Sequence, residues 1–105
     1  MDRAEIEDIF QSLGPVTIRR MFGGKGIYCD GRILALEVGG EIVLKADGQR
    51  APAFEAAGAR QWTYTRKGGR SAAMPYWSIP DDAWDDPDVM ARWVRLAFEA
   101  ASRAA

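Results

Sequence analysis

Residues 19–38 read RRMFGGKGIYCDGRILALEV, and the glycines around Lys25 can be taken in two ways. A phosphate-cradling loop needs glycines that turn backbone N–H groups inward, a lysine followed by Ser or Thr, and a helix opening at that point. Here Lys25 is followed by Gly26, and then by Ile27-Tyr28-Cys29, a strand-forming run with no helical period. The spacing for a dinucleotide fingerprint fails as well. The glycines therefore read as turn residues.

The same punctuation recurs downstream as Asp30-Gly31, Gly39-Gly40 and Asp47-Gly48. Such dipeptides suit two-residue hairpins because both central residues must take positive φ at low cost. Strands are expected near 16–22, 26–30, 32–38 and 41–46, joined as an antiparallel meander. With two-residue turns, Cys29 faces Arg32, Ile27 faces Leu34, Val38 faces Glu41 and Leu36 faces Val43. One face then carries Ile27, Leu34, Leu36, Val38 and Val43, and the other Tyr28, Ile33, Ala35, Ile42 and Leu44. Both faces are apolar, so each requires a cover. Helices can supply one; a second copy of the chain is the expectation for the other.

The flanks complete the architecture. Ile6, Ile9, Phe10 and Leu13 form one helical stripe over 2–13, with Asp2 as cap and Gly14-Pro15 as stop. A short helix is expected over 49–57, with Pro52 in its first turn. Trp62–Arg66 alternates as a strand, Lys67-Gly68-Gly69-Arg70 turns, and Ser71–Met74 returns. Pro75 cannot donate to a ladder, so the returning strand is expected at an edge, or to end there. Residues 79–84 suggest one helical turn. Asp86-Pro87 opens a last helix with Val89, Trp93, Leu96, Ala97 and Ala100 as its apolar stripe. The fold class is α+β, one domain over 1–105, with an antiparallel sheet of five to six strands and helices packed on it.

Composition narrows the function. The chain has 105 residues, no histidine and a single cysteine, Cys29. An internal disulfide, a Cys/His nucleophile pair and a Cys/His zinc site are therefore excluded. No apolar run approaches the roughly 20 residues of a membrane span, and the acidic N-terminus is not a secretory signal. A cytoplasmic, non-enzymatic domain is the expectation, without metal, cofactor or catalytic residues; the alternative of a small-ligand-binding domain requires a closed pocket with converging polar groups. The cluster Asp81, Asp82, Asp85, Asp86 and Asp88 lacks the glycine of a calcium loop and contains Pro87, so it reads as helix capping.

The net charge of −1 conceals segregation: −3 over 1–14, +5 over 15–80 and −3 over 81–105. Arg19, Arg20, Lys25, Arg66, Lys67 and Arg70 form the candidate surface for an anionic partner or nucleic acid, interleaved with Phe22, Tyr64 and Tyr76. Since neighbours on a strand point to opposite faces, basic and aromatic residues need not share a surface.

Taken in order, Arg20-Met-Phe-Gly-Gly-Lys-Gly-Ile-Tyr, Asp30-Gly31, Leu44-Lys-Ala-Asp47, Phe54-Glu-Ala-Ala-Gly58, Tyr64-Thr-Arg-Lys-Gly-Gly69, Met74-Pro-Tyr76 and Ile79-Pro80 resemble the N-terminal domain of the TfoX/Sxy competence regulators. The resemblance runs from about Val16 to about Leu96. It implies an α+β regulatory domain that helps to switch on DNA-uptake genes, working with a protein partner in the transcription machinery. It implies no catalytic residues. The matching positions Met21, Phe22, Gly23, Gly24, Lys67, Gly68, Gly69, Met74, Pro75 and Tyr76 are candidates for a shared surface or a shared fold constraint. The competence regulators carry a second domain of similar size that has no counterpart in these residues, so a stand-alone domain acting as a homodimer is expected.

Overall fold

In a computed structural model that describes residues 1–21 and 23–104, Asp30-Gly31 and Gly39-Gly40 bend the chain into a meander as expected, whereas Asp47-Gly48 closes no hairpin and leads into a helix. Strands β1 (Thr17–Met21), β2 (Gly24–Cys29), β3 (Arg32–Val38) and β4 (Glu41–Lys45) pair in sequence, all antiparallel. Strand β6 (Ser71–Ser78) joins β4, and β5 (Gln61–Thr65) lies outside it, giving the order β1-β2-β3-β4-β6-β5. Helix α1 (Arg3–Ile9) precedes β1, α2 (Ala51–Ala56) follows β4, and α3 (Pro87–Ala104) ends the chain. Single 3-10 turns at Gln11–Leu13 and Asp81–Ala83 complete the described elements.

Local chemistry accounts for each boundary. Asp2 accepts from the Glu5 N–H at 2.9 Å and caps α1. The expected helix over 2–13 is only partly α-helical, since Phe10 closes it and Gln11–Leu13 tightens into 3-10 geometry before Gly14. Asp86 accepts from the Asp88 and Val89 N–H groups at 3.0 and 3.3 Å, so it caps α3 as expected. Asp30 adopts φ 52° ahead of Gly31 at φ 76°, the left-handed pair that a two-residue hairpin turn requires.

The register departs from expectation at one place. Cys29–Arg32, Tyr28–Ile33, Leu36–Val43 and Val38–Glu41 pair as expected, but Ile27 pairs with Ala35 in place of Leu34. Leu34 is the extra residue of a β-bulge, and beyond it the expected alternation is inverted. Leu34 and Ala35 consequently both enter the main core with Ile27, Ile42 and Leu44. Ile33 lies instead with Leu36, Val38, Val43 and Tyr76 on the opposite face. The two faces are apolar as expected, with Ile27, Leu34 and Tyr28, Ile33 exchanged between them.

All three described helices cover the same face. Ile6, Ile9 and Phe10 of the first helical segment, Phe54 of α2, and Met90, Trp93, Val94, Ala97 and Ala101 of α3 bury themselves against it. Phe54 and Trp93 meet with ring centroids 4.8 Å apart, in a tilted geometry that favours aromatic pairs. On α3, the buried stripe includes Met90, Val94 and Ala101 beside the expected Trp93, Ala97 and Ala100; Val89 and Leu96 flank it half-buried.

Pro75 corrects the reading of the returning strand. β6 does not end there: it runs through Pro75 and from Tyr76 on lies between β4 and β5, while Ser71–Met74 has β5 as its one partner and keeps the free side expected of an edge. The missing N–H is on the β4 side, just past Lys45, where β4 has ended. Towards β4, the Pro75 carbonyl accepts from the Ala46 N–H at 3.0 Å. Towards β5, the register shifts between Gln61 and Thr63, and the Gln61 side chain donates to the Met74 carbonyl at 2.9 Å.

Two polar ties hold α3 to the turn before α2. Arg103 donates to Asp47 from Nε at 2.6 Å and from Nη2 at 3.0 Å, and Arg50 pairs with Glu99. Asp47 also accepts from the Gln49 and Arg50 N–H groups. The Arg103 hydrogen bonds lead the effects that hold the Asp47 carboxyl below its usual range. A lowered carboxyl pKa adds stability that is present above the unfolded value, about 3.9, and is lost as pH falls through the folded one. Asp47→Asn is therefore expected to be less stable than the parent at pH 7, with the gap narrowing below about pH 4 in urea melts.

Gly24 makes the closest approach in the sheet. A Cβ there would sit 2.0 Å from the Glu37 carbonyl oxygen, a backbone atom that cannot move without separating β2 from β3. Gly24→Ala should cost at least about 3 kcal/mol in urea unfolding. Gly48→Ala, whose Cβ would meet nothing within 4 Å, should stay within about 0.5 kcal/mol of the parent.

Candidate interaction surface

The Gly23–Gly26 segment is a hairpin turn running directly into β2, so Lys25 and Gly26 are strand residues. Lys25 donates from Nζ to the Met1 carbonyl at 2.9 Å and lies 3.9 Å from the Glu37 carboxylate. Glu37 is buried and accepts from the Gly40 N–H at 2.9 Å. The lysine thus ties the N-terminus to the hairpin that joins β3 and β4. A Cβ on Gly26 would press against Tyr28, Met21 and Ile33 at 3.0 to 3.2 Å, so this glycine is floor space for three larger side chains.

The six candidate cations do not form one cluster. Arg19 and Arg20 lie on β1, at one edge of the sheet, and Arg66, Lys67 and Arg70 lie at the β5–β6 turn on the other. Arg19 is on the same face as Tyr28, its guanidinium carbon 5.3 Å from the ring centroid. Arg20 pairs with Lys25 across β1–β2 and so belongs to the opposite face. Of the family-motif positions, Phe22 lies outside the described residues.

What gathers on the face opposite the helices is apolar. Leu36, Val43 and Tyr76 are buried there, with Ile33, Val38, Trp62 and Met74 packed around them and half-buried. Met21 continues this floor across Gly26 and is 40% exposed. Burial, with Tyr28 nearby, pushes the Tyr76 hydroxyl above its usual range. Among the described residues, none from a helix belongs to this cluster. Arg19 and Lys45 stand at its rim, Lys45 opposite Tyr76.

The β5–β6 hairpin forms an arm. Only Tyr76, Trp77 and Ser78 of β6 pair with β4, so the part from Ser71 to Met74 continues with β5 alone. Thr63 through Ser71 are all exposed. Trp62 and Tyr64 share one side of the arm, ring centroids 6.1 Å apart, and Trp62 anchors that side to the apolar floor. Gln61–Pro80 contains no Asp or Glu. Among the described residues, Arg66, Lys67 and Arg70 take part in no ion pair.

Other groups are structural. Cys29 is buried in the main core, where desolvation and the adjacent Asp30 push its thiol up, away from the reactive thiolate. Grooves of about 110, 200 and 170 Å³ lie at the Asp8–Met90, Glu41–Asp81 and Gly31–Ala104 regions. Each is smaller than the roughly 300–1,000 Å³ of a typical ligand pocket. Among the described residues, no helix is long and apolar enough to cross a membrane.

Sequence reasoning located the two apolar faces but missed Glu37 as a buried tie. Its signal was a lone carboxylate within Ile33–Val38, opposite Lys25 on the neighbouring strand. It also missed the arm, because a hairpin's sequence does not show how far its neighbour in the sheet extends.

No curated protein matches the chain. The model of the TfoX N-terminal domain matches residues 8–101, nearly its whole length, and the ordered motifs fall where they shape this sheet: Gly24 against β3, Pro75 at the base of the arm, Tyr76 in the apolar floor. The chain belongs to the TfoX N-terminal domain family.

Proposed function

We propose that this domain is a non-enzymatic regulatory module of the TfoX type that acts by binding protein, in the control of competence genes. The observation that carries the reading is the sheet face opposite the helices. It presents Met21, Ile33, Val38, Trp62 and Met74 around a buried floor, and no described helix covers it. Apolar residues contiguous on a surface mark contact sites, and the aromatic and methionine content matches the buried centre of protein interfaces. The family match over residues 8–101 supports the regulatory context that the resemblance to the competence regulators implies.

The first partner is a second copy. Two-fold dimers are the commonest oligomers, and they use the same patch on both subunits. A sheet face of this kind can pack on its mate at about 10 Å separation. The arrangement leaves the helices, the acidic segment Asp81–Asp88 and the arm tip free for other contacts.

Sedimentation velocity at tens of micromolar should show a dimer. Ile33→Glu puts a charge into the partly buried rim of the face and should shift the chain to monomer, with its far-ultraviolet circular dichroism retained. A parent protein that sediments as a monomer at that concentration would contradict the self-association.

A further inference from the structure

The arm carries a second, independent surface. Its turn, Arg66-Lys67-Gly68-Gly69-Arg70-Ser71, has three cations, no carboxylate and no apolar side chain. The turn is closed by backbone hydrogen bonds from Arg66 N–H to Arg70 and from Gly69 N–H to Arg66, so the three cations project from one tight loop. Below it, Thr65 and Ser71 hydroxyls lie 3.2 Å apart, facing each other across the ribbon. The acidic Asp81–Asp88 segment follows the far end of β6. The eight residues of β6 separate the two by roughly 23 Å at about 3.3 Å per residue. The molecule is thus polarised, with its positive pole at the exposed tip of a protruding ribbon.

We infer that this tip is a contact site for double-stranded DNA, with the two-stranded ribbon entering the major groove and the cations reaching the phosphates on either side. A protein partner would be met by mixed signs and an apolar anchor, and the tip offers neither. A phosphate backbone offers a single sign, which three uncompensated cations match. The major groove, about 12 Å wide, admits a two-stranded β-ribbon. Tyr64, 49% exposed on the side of the arm, is placed to reach base edges or sugar as the tip seats. The contact is sequence-tolerant and salt-sensitive, because the cations that supply it address the backbone.

Fluorescence anisotropy of a labelled duplex of about 20 base pairs, titrated with the full chain at 20 mM salt, tests this. Binding should weaken by two to three powers of ten on raising the salt tenfold, the slope for about three phosphate contacts. The triple variant Arg66→Gln/Lys67→Gln/Arg70→Gln should bind at least about tenfold more weakly with a flatter salt dependence. Its melting temperature should equal the parent's, since the tip packs on nothing. Arg95→Gln, which removes an exposed α3 cation, should bind as the parent does. Absence of duplex binding at 20 mM salt, or a triple variant that binds like the parent, overturns the inference. So does a single strand of the same length bound tenfold more tightly, or polyglutamate competing as well as DNA at equal charge.

Discussion

The bulge at Leu34 is the constraint on which the rest of the structure turns. Without the extra residue, strict alternation would send Leu34 to the side away from the helices, beside Leu36 and Val38. With it, Leu34 and Ala35 both face the helices and are fully buried, and the side chains of Ile27, Ile42 and Leu44 share their layer. That layer is what α3 packs on, through Trp93, Val94 and Ala97. The 18-residue helix spans about 27 Å, long enough to cross several strands at about 4.8 Å spacing. Ile33, sent to the other side, packs with Val38, Trp62 and Met74 around Leu36, Val43 and Tyr76, which are buried on a face that no described helix covers. One inserted residue therefore decides both where the helices sit and what the opposite face presents.

Much of this was legible because local chemistry and tertiary structure agree. Asp30-Gly31 must take positive φ to close a hairpin, and it does. Asp86-Pro87 must open a helix, since Asp accepts from the first free N–H groups and Pro has none to lose. The bulge was not legible, because nothing in Ile33-Leu34-Ala35-Leu36 distinguishes a regular strand from one with an extra residue. All four side chains are apolar and either face would accept them. Pro75 misled for a related reason. The rule that excludes proline from interior strands concerns a donor that the ladder needs, and here the Pro75 nitrogen faces β4 just past Lys45, where that strand has ended. Which ladder positions are unused is a property of the neighbouring strands, outside the reach of the strand's own sequence.

The candidate surface was legible as an inventory and not as a map. The six cations were visible, but strand order divides them: Arg19 and Arg20 at the β1 edge, three at the arm, and Lys25 drawn to the Met1 carbonyl and Glu37. The family motifs divide in the same way. Gly24 and Gly26 hold large neighbours at close range, which is a requirement of the fold. Gly68 and Gly69 take φ 100° and 85°, which the turn itself requires, whereas Lys67 is exposed there with no backbone requirement for its residue type. Position in the sheet, and not residue type, separates the two classes.

Pro75 also links the fold to the mechanics of the arm. Pairing between β4 and β6 begins at Tyr76, and the one further bond on that side is made by the Pro75 carbonyl. Past this point the hairpin has a single partner strand, and an isolated two-stranded ribbon is marginal in water. Trp62 and Met74 fasten its base to the apolar floor, while Thr63–Ser71 remain exposed. The free energy needed to bend or open the arm is then lower than that needed to open the four-strand meander. A contact made at its tip can be accommodated by adjusting the ribbon alone. A contact made on the floor beside Trp62 would bear on the ribbon's anchorage, so the two surfaces share one side chain through which occupancy of the first can alter the freedom of the second.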